Sequence, residues 1–165
     1  MAQRLDPDSG VEYTNIDDGA SANDADYHLE GNVWAPVTNT WTFSNPASTP
    51  NGSTGTLTVR LKGVGDIASW IADGASIVVE VSEGATQRGS RSDIANTLTA
   101  NYQDFTVSAT GITNYNNMGF AVTAGGAETV GIDFYISWAK FDAPDPAGGG
   151  GGTTSHHLTV VGAGT

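Results

Sequence analysis

The feature that most constrains this chain is the run VGIDFYISWAKF near its C-terminal end. Val130, Ile132, Phe134, Ile136 and Trp138 alternate with Gly131, Asp133, Tyr135, Ser137 and Ala139. A period of two puts five large apolar groups on one face of a strand, where a helix would scatter them around its circumference. Such a face has to be buried against another layer. In TGTLTVRLK, Leu57, Val59 and Leu61 point one way, and Thr56, Thr58, Arg60 and Lys62 the other. In SIVVEVS, Ile77, Val79 and Val81 share a face opposite Glu80. Residues 11–16, 27–30, 39–44, 105–109 and 118–123 read as further strands. Trp41 with Phe43, Phe105 with Val107 and Ala109, and Met118 with Phe120 and Val122 are their core faces.

Connections are marked by turn residues. Pro50-Asn51-Gly52 precedes the Leu57 strand, and Ala124-Gly125-Gly126-Ala127 reads as a hairpin loop before the last strand. The 22 Gly and 20 Thr of the 165 residues suit many strands joined by tight turns. Ile67, Trp70 and Ile71 follow an i, i+3, i+4 spacing that predicts one helical turn. Arg88 and Arg91 fall in a segment that reads as a loop. About eight short strands predict an all-β, antiparallel β-sandwich of jelly-roll type.

Three segments follow: an extended N-terminal arm (residues 1–10), the sandwich domain (residues 11–144) and a Gly-rich tail (residues 145–165). The tail holds five consecutive glycines, 148–152, which cannot maintain a regular element. Beyond them Leu158, Thr159, Val160 and Val161 form a β-prone run on a leash reaching on the order of 12 Å. Such a run suits addition to the exposed sheet edge of another subunit, which makes these four residues candidate assembly contacts.

Charge excludes several partner classes. Eighteen acidic residues against six basic ones give a net charge of −12. That surface repels phosphate backbones and anionic lipid, so neither nucleic acid nor a membrane is expected as a partner. No apolar run approaches the ~20 residues that span a bilayer. The absence of cysteine excludes a disulfide, a thiolate metal site and a Cys nucleophile. The opening MAQRLDPDSG lacks the apolar stretch of a secretory signal, so cytoplasmic synthesis is expected.

Asp17, Asp18, Asp24 and Asp26 offer hard oxygen ligands of the kind Ca²⁺ takes, although their spacing departs from the EF-hand pattern. A solvated turn is the competing reading, and no cofactor is expected beyond this structural ion. His156-His157 lack the acids and spacing of a closed metal site. Asn51-Gly52-Ser53 matches a glycosylation sequon, which is incidental without a secretory signal. Among the aromatics, Trp34 and Tyr135 are the candidate glycan contacts, the others being assigned to the core. No G-x-S-x-G, H-E-x-x-H or phosphate loop is present. His28 is the one histidine outside the tail, and Asp133 has no evident second carboxylate for glycoside hydrolysis. The chain is therefore expected not to be an enzyme.

NIDDGASANDADYHLEG (residues 15–31) and VGIDFYISWAKFDAP (residues 130–144) resemble segments of small structural proteins of tailed bacteriophages. TLTVRLKG and the Phe105 strand sit between them in similar order. The resemblance covers about residues 11–144 and implies a virion component assembled in the host cytoplasm. The leading expectation is a capsid decoration (cement) protein on the outer surface of the major capsid protein. A neck, tail, spike or fibre-base component is the alternative. Homo-oligomers, trimers included, go with that resemblance, and it carries no catalytic residues. The chain departs from the pattern in its Gly-rich tail and at His28, where the group more often has an aliphatic residue. A carbohydrate-binding module using Trp34 and Tyr135 is the further alternative.

Overall fold

A computed structural model describes residues 2–12, 14, 16 and 27–146. In chain order the strands are β1 (Gln3–Leu5), β2 (Pro7–Gly10), β3 (His28–Val33), β4 (Val37–Phe43), β5 (Thr54–Val64), β6 (Ser76–Glu83), β7 (Thr86–Arg91), β8 (Gln103–Thr110), β9 (Met118–Gly125) and β10 (Ile132–Ala143). A short helix, α1 (Ile67–Ala72), lies between β5 and β6.

The strands form two antiparallel sheets. In the first, β10 pairs with β5 and β5 with β8, while β3 and β1 share the other flank of β10. The second runs β2-β4-β9-β6-β7. From β3 onward the orders are 3-10-5-8 and 4-9-6-7, which is the jelly-roll topology. The chain is thus an all-β sandwich, as the alternation predicted.

The core is the sum of the inward faces. Leu57, Val59, Leu61, Ile77, Val79 and Val81 are fully buried, and Phe105, Val107, Phe120 and Val122 nearly so. Trp41 and Phe43 stack on Phe120 with ring centroids 4.8 and 5.1 Å apart. The expected helical turn is α1. Asp66 caps it by accepting the Ser69 N–H at 3.0 Å, and buried Trp70 donates its indole N–H to the Val33 carbonyl at 2.8 Å. On one side the sheets meet at Gly89 of β7, where a Cβ would overlap the Ser108 carbonyl oxygen of β8.

Several expectations are corrected. Residues 3–10 of the expected arm (residues 1–10) do not stand off the domain. β1 pairs with β10, β2 pairs with β4, and Leu5 and Pro7 are buried. The described residues of 11–16 are not a strand; Val11 and Glu12 form a turn, with Glu12 at φ 45°. Arg88 and Arg91 lie on strand β7, which pairs with β6. The connection after Ala124 is not a hairpin, because β9 and β10 belong to different sheets. Trp138 does not continue the core face of β10. Ile136 pairs with Leu61 but Trp138 pairs with Arg60, so Ser137 is an extra residue. This bulge turns Trp138 to the outer side and brings Ala139 and Phe141 inward, both fully buried.

Candidate functional site

The outer face of the first sheet gathers aromatic side chains around one cation. On β10, Ile132, Phe134 and Ile136 face the core, so Tyr135 faces out. Its lateral neighbours are Leu29 on β3 and Lys62 on β5. Tyr27, just before β3, meets Tyr135 edge to face, with centroids 5.1 Å apart and planes at 70°. The Lys62 ammonium lies 4.5 Å from the Tyr135 ring centroid and 4.2 Å from that of Tyr102. Tyr27, Leu29 and Val64 are 37%, 42% and 41% exposed. A cross-strand cluster of this kind on a solvent-facing sheet is an apolar patch fixed by the backbone ladder.

Charged groups border it. Asp133 accepts the Asn32 backbone N–H at 3.0 Å, and Arg60 pairs with Asp104 at 2.8 Å. Trp138 lies on the same side of the sheet, buried, with its indole N–H meeting no acceptor among the described residues.

Trp34 is half exposed but belongs elsewhere. It sits at the β3–β4 turn, where its carbonyl accepts the Gly126 N–H at 2.8 Å. It is five residues beyond Leu29, roughly 16 Å along an extended chain. The structure therefore does not bring Trp34 and Tyr135 together. Tyr27, Lys62 and Tyr102 were not singled out from the sequence. Their signal is the outward parity of Lys62 and Tyr135, which becomes a site only once the register of β3, β10 and β5 is known.

A second polar group lies inside the edge of the sandwich. Buried His28 contacts Glu12 Oε2 through Nδ1 and Glu30 Oε1 through Nε2, each at 3.0 Å. Glu30 also accepts from Asn39 Nδ2 at 2.9 Å, and the ring stands edge to face with Trp41. With both ring nitrogens engaged, His28 acts as a cross-link between the Glu12 turn and β3.

Two carboxylates lock loops. Asp73 accepts the backbone N–H groups of Glu128, Thr129 and Val130 and the Thr129 hydroxyl. Its pKa is lowered, chiefly by the Thr129 N–H. Glu83 holds Thr113 and Arg88, and its pKa is lowered, chiefly by the Thr113 hydroxyl. Both have their acceptor capacity committed to the protein.

Shallow depressions of about 310 Å³ near Pro46 and Asn114, and about 250 Å³ over Gly119, contain no carboxylate, Lys, Arg or His in their lining. Among the described residues no group of three or more His, Asp or Glu is placed to hold a metal. The candidate Ca²⁺ ligands Asp17, Asp18, Asp24 and Asp26, the candidate assembly contacts Leu158, Thr159, Val160 and Val161, and His156-His157 all lie outside the described residues.

No family model matches the chain, and no curated protein matches it. Solved structures do. The C-terminal CBM6 of LamC, a marine laminarinase from Zobellia galactanivorans, is 12% identical, with 86% of this chain and 99% of that one covered and a TM-score of 0.45. TmCBM61, solved in complex with β-1,4-galactotriose, is 12% identical over 82% of this chain and 86% of its own, at a TM-score of 0.41. A cyclase from Fischerella sp. TAU is 15% identical over 72% and 64%, at 0.42. At these identities and TM-scores the likenesses assign neither ligand nor activity to this chain.

Proposed function

We propose that this chain is a non-catalytic binding module that holds carbohydrate on the outer face of its first sheet. The observation that carries the reading is the Tyr27–Tyr135 pair, Tyr27 exposed and Tyr135 half-buried, set edge to face beside exposed Leu29. A pyranose ring presents an apolar C–H face to an aromatic ring and hydroxyls around its rim. Tyrosine matches both, with an apolar body and a polar tip. The strand ladder fixes the rings before the ligand arrives, which lowers the ordering cost of binding.

Gln3–Leu5 and Pro7–Gly10 are strands of this domain, and the tail residues Leu158, Thr159, Val160 and Val161 lie outside the described residues. The glycan reading rests on groups that are placed.

Titration of a panel of neutral and acidic oligosaccharides, followed by calorimetry, tests it. Tyr135→Ala and Tyr27→Ala are each expected to weaken binding by about 3- to 10-fold. Trp34→Ala should leave the affinity unchanged. No binding by the parent chain, or loss through Trp34 alone, would overturn the assignment of the site.

A further inference from the structure

Five of the six basic side chains are paired with a carboxylate. Arg4 pairs with Asp6, Arg60 with Asp104, Arg88 with Glu83, Arg91 with Asp93, and Lys140 with Asp142, all within 2.8 Å. Lys62 is the exception among the described residues. Its ammonium rests against the rings of Tyr102 and Tyr135. Ring faces attract the charge but accept poorly from its N–H groups, of which an ammonium has three. In a chain with three times as many acids as bases, this cation stands at the centre of the aromatic face with no carboxylate paired to it among the described residues.

We infer that the aromatic face is selective for acidic saccharides, a ring carboxylate of a uronic-acid residue bonding Lys62 while the sugar stacks at Tyr135 and Tyr27. This rests on the carbohydrate reading and narrows it. Lys62 supplies one charge-assisted bond, of the shorter and stronger kind. The net charge of −12 does not forbid it, since at physiological salt charges more than ~8 Å away are largely screened. The same face limits charge density. Asp133 stands on the outer side of β10 two residues from Tyr135, and Asp104 holds Arg60. A glycan with one carboxylate per ring meets Lys62; a densely sulfated or phosphorylated polymer also meets these acids.

The comparison that isolates the charge uses one polymer in two states. Oligosaccharides of polygalacturonate are titrated de-esterified and fully methyl-esterified, beside alginate and neutral galactan oligosaccharides. The parent chain is expected to bind the de-esterified or alginate ligands at least about tenfold more tightly than the esterified or neutral ones. Lys62→Met, which keeps the stem against the rings, should remove that preference, bringing acidic and neutral ligands to the same affinity. Lys62→Arg should retain most of it. Affinity for the acidic ligand should fall as salt is raised from 0.05 to 0.5 M in the parent and stay flat in Lys62→Met. Tyr135-dependent binding of neutral glycans with no acidic preference overturns this inference and leaves the carbohydrate reading standing. An acidic preference that survives Lys62→Met also overturns it. No binding of any member of the panel overturns both.

Discussion

At the scale of single residues, acid stability is set by carboxylates bound by N–H and O–H donors. Asp73 is held below its ordinary pKa chiefly by the Thr129 N–H, against an opposing effect of burial. Glu83 is lowered chiefly by the Thr113 hydroxyl, Asp66 by the Ser69 N–H and Asp93 by the Arg91 side chain. In the unfolded chain these groups titrate at ordinary values near 4. A depressed folded pKa means that the stabilisation is complete above the unfolded value and disappears as pH falls through the folded one. The melting temperature should therefore be level from neutrality to about pH 5 and fall below about pH 4. Asp73→Asn should lower the midpoint at pH 7 and make the acid-side decline shallower. Thermal melts by circular dichroism at a series of pH values check this; parallel curves for parent and variant would remove Asp73 from the account.

At the scale of elements, the bulge in β10 decides which residues reach the core. Deleting Ser137 would remove the extra residue while leaving Trp138 and Lys140 outward and Ala139 and Phe141 inward, as they are now. The core face is kept, so the deletion variant is expected to fold, as read by retention of the β-sheet dichroism signal; loss of that signal would make the bulge itself indispensable. Most strands were legible because their apolar period is two: Leu57 to Leu61, Ile77 to Val81 and Phe105 to Ala109 each match a buried face. The bulge was not, because Trp138 is apolar and satisfies the uninterrupted pattern as well as the interrupted one. β7 was missed because TQRGSR has no large apolar residue; it is defined by its ladder to β6 and by the close approach of Gly89 to β8. The candidate site was half legible. Tyr135 was marked by parity, but its partners come from elsewhere in the chain, Tyr27 from just before β3 and Lys62 from β5, and pairing register is not written in either segment.

At the scale of the whole molecule, residues 3–10 belong to both layers. β1 ends at Leu5 in one sheet and β2 begins at Pro7 in the other, with Asp6 between them. A variant lacking residues 1–10 would uncover the flanks of β10 and β4 and lose the burial of Leu5, about 1.5–3 kcal/mol for that side chain alone. Its melting midpoint should drop by at least ~5 °C, and light scattering should report association through the freed strand edges. An unchanged midpoint and a monodisperse solution would make this segment dispensable to the sandwich. The pairing of Gln3 with Ala143 also sets the response to force. Tension applied between these two residues acts across the β1–β10 ladder at its open end, so its bonds break in succession instead of yielding together in shear. Pulled in that direction, the domain should open at low load from its first strand.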